Sequence, residues 1–153
     1  MACFCRWDVQ DAFKQSIEWA GFTIKSQVIW DRGVHGMGDL KSSFSPRHDI
    51  IWFATKGDYE FPGDRPPSVI KVKRVDAASL IHPNEKPVDL MRYLIRHLTL
   101  KGQAVLDPFA GSGSVLIAAI REDRNVVGIE KDHSYCEMIR KRIKEPQPIS
   151  LFG

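Results

Sequence analysis

The run Val105-Leu106-Asp107-Pro108-Phe109-Ala110-Gly111-Ser112-Gly113 is a short apolar strand emptying into a glycine-rich turn, and Val115 to Glu122 continue it with helical spacing. Glycines in such a turn let the backbone approach a ligand closely, and the start of the next helix offers amide groups with no partner inside the helix. A nucleotide-type ligand follows. Glu130 ends the next expected strand roughly 20 positions beyond Asp107, where a carboxylate can take both hydroxyls of a ribose. The third residue after Gly113 is Leu116, where the dinucleotide fingerprint has glycine or alanine, and the turn carries the anionic Asp107. A carboxylate there repels a pyrophosphate and suits a ligand bearing an ammonium group, which S-adenosylmethionine does. The same turn disfavours a nicotinamide-dependent oxidoreductase.

The elements that must hold these residues are read from period and punctuation. Ala2 to Trp7 is an apolar strand, with Asp8 as helix cap and a helix to about Ala20 whose inner stripe is Ala12, Phe13, Ile17 and Ala20; Gly21 ends it. Phe22 to Trp30 and Asp49 to Ala54 are rich in β-branched residues and flank a long loop from Asp31 to His48, which contains Gly33, Gly36, Gly38 and three serines. Gly57 to about Leu80, with Pro62, Pro66 and Pro67, reads as an irregular connector inside one domain. Helix, strand, turn, helix, strand and helix follow at Pro87–Leu98, Ala104–Leu106, the glycine turn, Val115–Glu122, Asn125–Glu130 and Ser134–Lys144. That alternation predicts an α/β fold, a parallel sheet covered by helices.

Length and composition agree with this. The 153 residues, 43% hydrophobic and 27% charged, fit a single globular domain and exclude disordered, collagen-like and coiled-coil classes. No apolar run approaches the roughly 18 residues of a membrane span, and the first residues do not resemble a signal peptide, so a cytoplasmic protein is expected. Twenty-two basic and nineteen acidic side chains leave a net charge of +3, which permits a polyanionic partner without requiring one. Cys3, Cys5 and Cys136 have no metal-ligand spacing, so buried thiols are expected and a metal site is not.

Taken together, His82-Pro83-Asn84-Glu85-Lys86-Pro87, then a helix, then Leu106 to Gly113, then Gly128-Ile129-Glu130-Lys131-Asp132 and Tyr135, resemble the β group of DNA amino-methyltransferases. Phe4-Cys5-Arg6-Trp7, Val28-Ile29-Trp30-Asp31 and His48 to Gly57 extend the resemblance over nearly the whole chain. It implies a Rossmann-like S-adenosylmethionine-dependent methyltransferase sheet with helices on both faces, and methylation of an exocyclic amino group, adenine more commonly than cytosine, in double-stranded DNA. On matching positions, residues 82–87 would wrap the methionine moiety, with His82 in that loop and Asn84 and Lys86 near the carboxylate. Asp107, Phe109, Gly111, Ser112 and Gly113 would line the amino-acid and sugar end, Glu130 would take the ribose, and Lys131 would flank the adenine. Residues 31–80 would face DNA, where Lys41, Arg47, Lys71, Lys73 and Arg74 could neutralise phosphates; residues 81–145 would form the cofactor-binding half.

One expected motif is missing. The family carries a D/N/S-P-P-aromatic tetrapeptide that holds the target amino group and stacks on the flipped base. The sole double proline here, Arg65-Pro66-Pro67-Ser68, has neither the polar first residue nor the aromatic last one. By the resemblance, Ala104–Leu106 is the first strand of the family sheet, Asn125–Glu130 the second and Ala2–Trp7 the fifth, with the third and fourth not encoded. A single truncated methyltransferase domain, inactive alone and completed by an upstream polypeptide, is therefore expected. Alternatives are a non-catalytic cofactor- or DNA-binding subunit, a decayed remnant, and an RNA methyltransferase.

Overall fold

The computed structural model describes residues 1–36, 41–82 and 84–145; Gly38 of the glycine-rich loop and Pro83 of the His82–Pro87 segment lie outside the described residues. The chain divides into two compact units, Met1–Arg74 and Val75–Gly153.

The first unit is a four-stranded sheet in the order β1-β3-β2-β4, formed by β1 (Ala2–Cys5), β2 (Thr23–Asp31), β3 (His48–Thr55) and β4 (Val69–Lys71). β3 pairs antiparallel with both β1 and β2, so its run Ile50-Ile51-Trp52-Phe53-Ala54 is buried. A central strand covered on both faces needs such a continuous apolar run. Cys5, Ile17, Ile50, Trp52 and Ala54 form one core cluster, and Phe53 stacks on Phe61 with Tyr59 edge-on.

Three expectations for this unit are corrected. Asp8 does not cap α1 (Gln10–Trp19): it lies in a short 3-10 turn, and the Arg6 guanidinium takes its carboxylate at 2.7 and 3.0 Å. Of the expected inner stripe only Ile17 is buried, because this helix meets the sheet along one narrow line. The connector is not wholly irregular, since Val69–Lys71 pairs in parallel with Ile29–Asp31. The predicted end of α1 is as observed: Gly21 has φ +80°, and its amide and that of Phe22 close onto Glu18 and Ile17 carbonyls, a left-handed helix stop.

The second unit holds α2 (Val88–Leu98), β5 (Ala104–Asp107), α3 (Ser114–Arg121), β6 (Asn125–Gly128) and α4 (His133–Lys144). β5 and β6 pair in parallel in register from Ala104 with Asn125 to Asp107 with Gly128. Ala110, Leu116 and Ile139 form the core with Val115 and Val126, and α2 packs on α3 through buried Leu90, Met91 and Ile95. Alternation along the ribbon leaves Leu106 and Val127 exposed. Asp132 caps α4, its carboxylate accepting from the Ser134 amide at 2.8 Å. The sheet thus delivers two parallel strand ends, at Asp107 and Gly128, side by side, the usual location of ligand sites in such folds.

Candidate cofactor site

Just beyond those strand ends the backbone folds on itself. The Ala110 amide donates to the Ile129 carbonyl at 2.9 Å, and the Ile129 amide to the Asp107 carbonyl at 2.8 Å, so the turn after β5 is stitched to the segment after β6. Glu130 completes the seam. Its Oε2 accepts from the Gly111 amide at 2.8 Å and its Oε1 from the Asp132 amide at 2.9 Å. These two amides hold the carboxyl below the usual glutamate range, Asp132 contributing more than Gly111. The Lys131 amide adds a smaller contribution in the same sense, and a carboxylate has about four lone-pair sites, so acceptor capacity stays available for a hydroxyl donor.

Asp107 behaves in the opposite sense. Burial pushes its carboxyl above the ordinary aspartate range; a bond from the Phe109 amide to its Oδ1, 3.1 Å, pulls the other way, and the nearby Glu130 adds to the rise. Among the described residues neither Asp107 nor Glu130 takes part in an ion pair with a basic side chain. Two neighbouring carboxylates without a counter-cation, one of them desolvated, fit a cationic ligand with vicinal hydroxyls.

Gly111 and Gly113 have φ of +51° and +79°, which side chains rarely adopt, and a Cβ on Gly113 would sit 2.9 Å from Ile139 Cγ1. Ser112 turns inward, buried, with its hydroxyl 3.0 Å from the Ser114 hydroxyl. Phe109 is 87% exposed, presenting its ring at the mouth of the turn. From the preceding loop, the His82 ring lies edge-on to Tyr135 at 4.8 Å and where a Cβ on Gly111 would meet it at 3.7 Å, and its Nδ1 accepts from the Asn84 amide at 3.1 Å. Asn84 and Lys131 are exposed and Lys86 is half-buried. The predicted cofactor residues all fall in the second unit, and His82, Gly111 and Glu130 are joined through direct neighbours.

The five basic residues expected to meet DNA lie in the first unit. Lys71 faces Asp31 in the β2–β4 register, and Arg47 forms a two-pronged pair with Asp31 at 2.8 and 3.1 Å that, with the Gly33 amide, holds the Asp31 carboxyl low. Lys41, Lys73 and Arg74 are exposed. Sequence reading missed Arg32, whose Nη2 donates to the Pro46 carbonyl at 2.7 Å beside Asp49, and missed the Glu85–Arg142 pair. The helical spacing of Tyr135, Ile139 and Arg142 was the signal that could have found the latter.

The DNA methylase family profile matches residues 65–141, just over half of the chain. YubD of Escherichia coli (strain K12), which bears the name of a methylase, is 30% identical over 148 residues, covering 96% of this chain and 63% of that protein. Type II methyltransferase M2.MboI of Moraxella bovis is 40% identical over 68 residues, 44% of this chain and 25% of that protein. The chain therefore spans less than two thirds of the length of these relatives. Among solved structures, the M1.HpyAVI–SAM complex superposes with a TM-score of 0.76 at 25% identity, covering 93% of this chain and 73% of that one. The cytosine-N4-specific PvuII DNA methyltransferase shares the fold, with a TM-score of 0.75 at 19% identity over 92% of this chain and 58% of that one. A strand, a glycine turn and the amide-held Glu130 carboxylate in a Rossmann-like α/β unit, together with a family match over residues 65–141, show that the chain belongs to the DNA amino-methyltransferase family, the N6/N4 DNA methylases.

Proposed function

We propose that the second unit binds S-adenosylmethionine along the turn 107–113 and that the protein serves methylation of an exocyclic amino group, adenine's in preference to cytosine's, in duplex DNA. The observation that carries this reading is the Glu130 carboxylate, fixed by the Gly111 and Asp132 amides, next to Asp107, which has no ion-pair partner among the described residues. Glu130 would hold the ribose hydroxyls, Asp107 would face the cationic end of the ligand, and Asn84 and Lys86 would meet its carboxylate, Lys86 as a point charge. Bound there, the cofactor supplies an electrophilic methyl group on sulfonium.

What the chain's own residues do is bind and orient. The sequence contains no D/N/S-P-P-aromatic tetrapeptide to hold an amino nitrogen in line with that methyl, and orientation contributes much of such a rate. These 153 residues by themselves are therefore proposed to bind cofactor without turnover. The exposed Lys41, Lys73 and Arg74 are the candidate phosphate contacts.

Two arms of one experiment test this. Calorimetry should detect S-adenosylmethionine binding by the wild-type chain and a loss of at least about tenfold on Glu130→Gln, the scale of one charge-assisted hydrogen bond. Labelled cofactor with duplex DNA should give no transfer by the chain alone, and transfer once a polypeptide carrying the tetrapeptide and its strands is supplied. Turnover by the chain alone contradicts the second part; no cofactor binding contradicts the first.

A further inference from the structure

The loop 81–87 and the turn 107–113 are separated by a whole helix and strand, yet one ligand must touch both, so something has to fix their spacing. Glu85 is the hub on the loop side. Its side chain is only 3% exposed; Oε2 accepts from the Ile81 amide at 2.9 Å, closing the loop on itself, and Oε1 accepts from Arg142 Nη1 at 3.0 Å. The same Nη1, which carries two N–H groups, donates to the Ser112 carbonyl at 2.6 Å. One nitrogen on α4 therefore joins the two segments.

Arg142 does not act alone on that face. Tyr135, Ile139 and Arg142 stand at i, i+4 and i+7, one stripe of α4. Tyr135 meets the His82 ring, Ile139 fills the space a Cβ on Gly113 would need, and Arg142 takes Glu85 and Ser112. All three residues touch the ligand-facing segments from behind. A buried ion pair is a weak source of stability, since apolar replacements often match it; one nitrogen that must lie within hydrogen-bond distance of two acceptors on different segments constrains their spacing.

We propose that Glu85 and Arg142 are positioning residues for cofactor binding: through them α4 acts as a splint that sets the distance between the loop bearing Asn84 and Lys86 and the turn bearing Gly111 to Gly113. The proposal rests on the reading that S-adenosylmethionine bridges those segments, with its methionine carboxylate on the loop at Asn84 and Lys86 and its ribose on Glu130 beside the turn. Glu85→Gln keeps an oxygen for the Ile81 amide and turns an NH2 group toward Arg142, opening the splint at constant volume.

The test compares two ligands on the full chain. S-adenosylmethionine, which spans both segments, should bind Glu85→Gln about tenfold more weakly than wild type, whereas adenosine, which needs only the turn, should bind within about twofold of wild type. Equal losses for both ligands, or no loss for either, overturn the proposal. Hydrogen exchange of the ligand-free chain gives an independent readout: amides of residues 84–86 and 111–113 should exchange faster in Glu85→Gln while those of α2 stay protected. If wild type binds neither ligand, the cofactor reading fails, and unchanged exchange at both segments would then overturn the splint by itself. Should Glu85→Gln lose helical circular dichroism, Arg142→Met, which keeps the length of the side chain and removes the Nη1 donor, takes its place in both measurements.

Discussion

Replacing Gly113 by alanine should damage the second unit through two separable causes. The backbone there sits at φ +79°, and a left-handed conformation costs a non-glycine residue roughly 1–2 kcal/mol. The new Cβ would lie 2.9 Å from Ile139 Cγ1 and 3.2 Å from Cγ2, both branches of a buried side chain with little room to yield; overpacking of this kind costs about 1–3 kcal/mol. Alanine restricts the unfolded chain and returns about 0.4–1 kcal/mol, so the net loss should be about 2–4 kcal/mol. Urea unfolding followed by far-ultraviolet circular dichroism reads the right unit, because α2, α3 and α4 lie in the second unit and α1 alone in the first. Tryptophan fluorescence reads the other one, since Trp7, Trp19, Trp30 and Trp52 all fall before Arg74. A double-mutant cycle then divides the cost. In an Ile139→Ala background the steric part should vanish and only the φ part remain, leaving a coupling of about 1–3 kcal/mol. An equal cost in both backgrounds would refute the claim that α4 packs directly on this turn.

Three further outcomes are expected. Glu122 is buried between Arg92 and the half-exposed Arg96, at 2.7 and 2.5 Å, so Glu122→Gln should lower stability by about 1–3 kcal/mol. Burial alone would raise that carboxyl, but the Arg96 and Arg92 hydrogen bonds outweigh it and hold it low; its contribution is present above the ordinary glutamate range and lost as pH falls through the lowered value, so acid titration of the variant by circular dichroism should be flatter than that of wild type. Because burial raises the Asp107 carboxyl, affinity for S-adenosylmethionine should begin to fall on acidification at a higher pH than an ordinary aspartate would give, and calorimetry across pH should find that dependence flattened in Asp107→Asn. Lys73→Gln with Arg74→Gln should weaken duplex DNA binding and reduce the slope of log affinity against log salt by roughly 1 per charge, measured by fluorescence anisotropy; Arg47→Gln should change that slope less, its guanidinium being engaged by Asp31.

The second unit was largely legible in the sequence because its residues obey local rules. Asp107-Pro108 to Gly113 is a strand end followed by glycines in left-handed conformations, and Glu130 falls two residues beyond the neighbouring strand, which ends at Gly128 rather than at Glu130 as expected. The features that escaped depend on distant partners. Val69–Lys71 is too short to show a period and lies beyond two prolines; it is a strand only because β2 offers Ile29–Asp31 to pair with. Asp8 has the right type for a cap, but Arg6 two positions earlier captures it. Glu85 and Arg142 look like solvated charges in sequence and become buried partners only when α4 folds over the turn. The boundary at Arg74–Val75 carries no punctuation of its own, only the last of a basic run.

The central claim is that a sulfonium nucleoside lies across the seam between the two parallel strand ends. An amide NMR titration of the isotope-labelled chain with S-adenosylmethionine tests it most directly, because Gly111 and Asp132 both donate to the Glu130 carboxylate and register any ligand that engages it. Saturable shifts are expected at Gly111, Asp132 and the 84–86 segment, with the β2 and β3 amides of the first unit unmoved. Shifts confined to the first unit, or none anywhere at millimolar ligand, would contradict it.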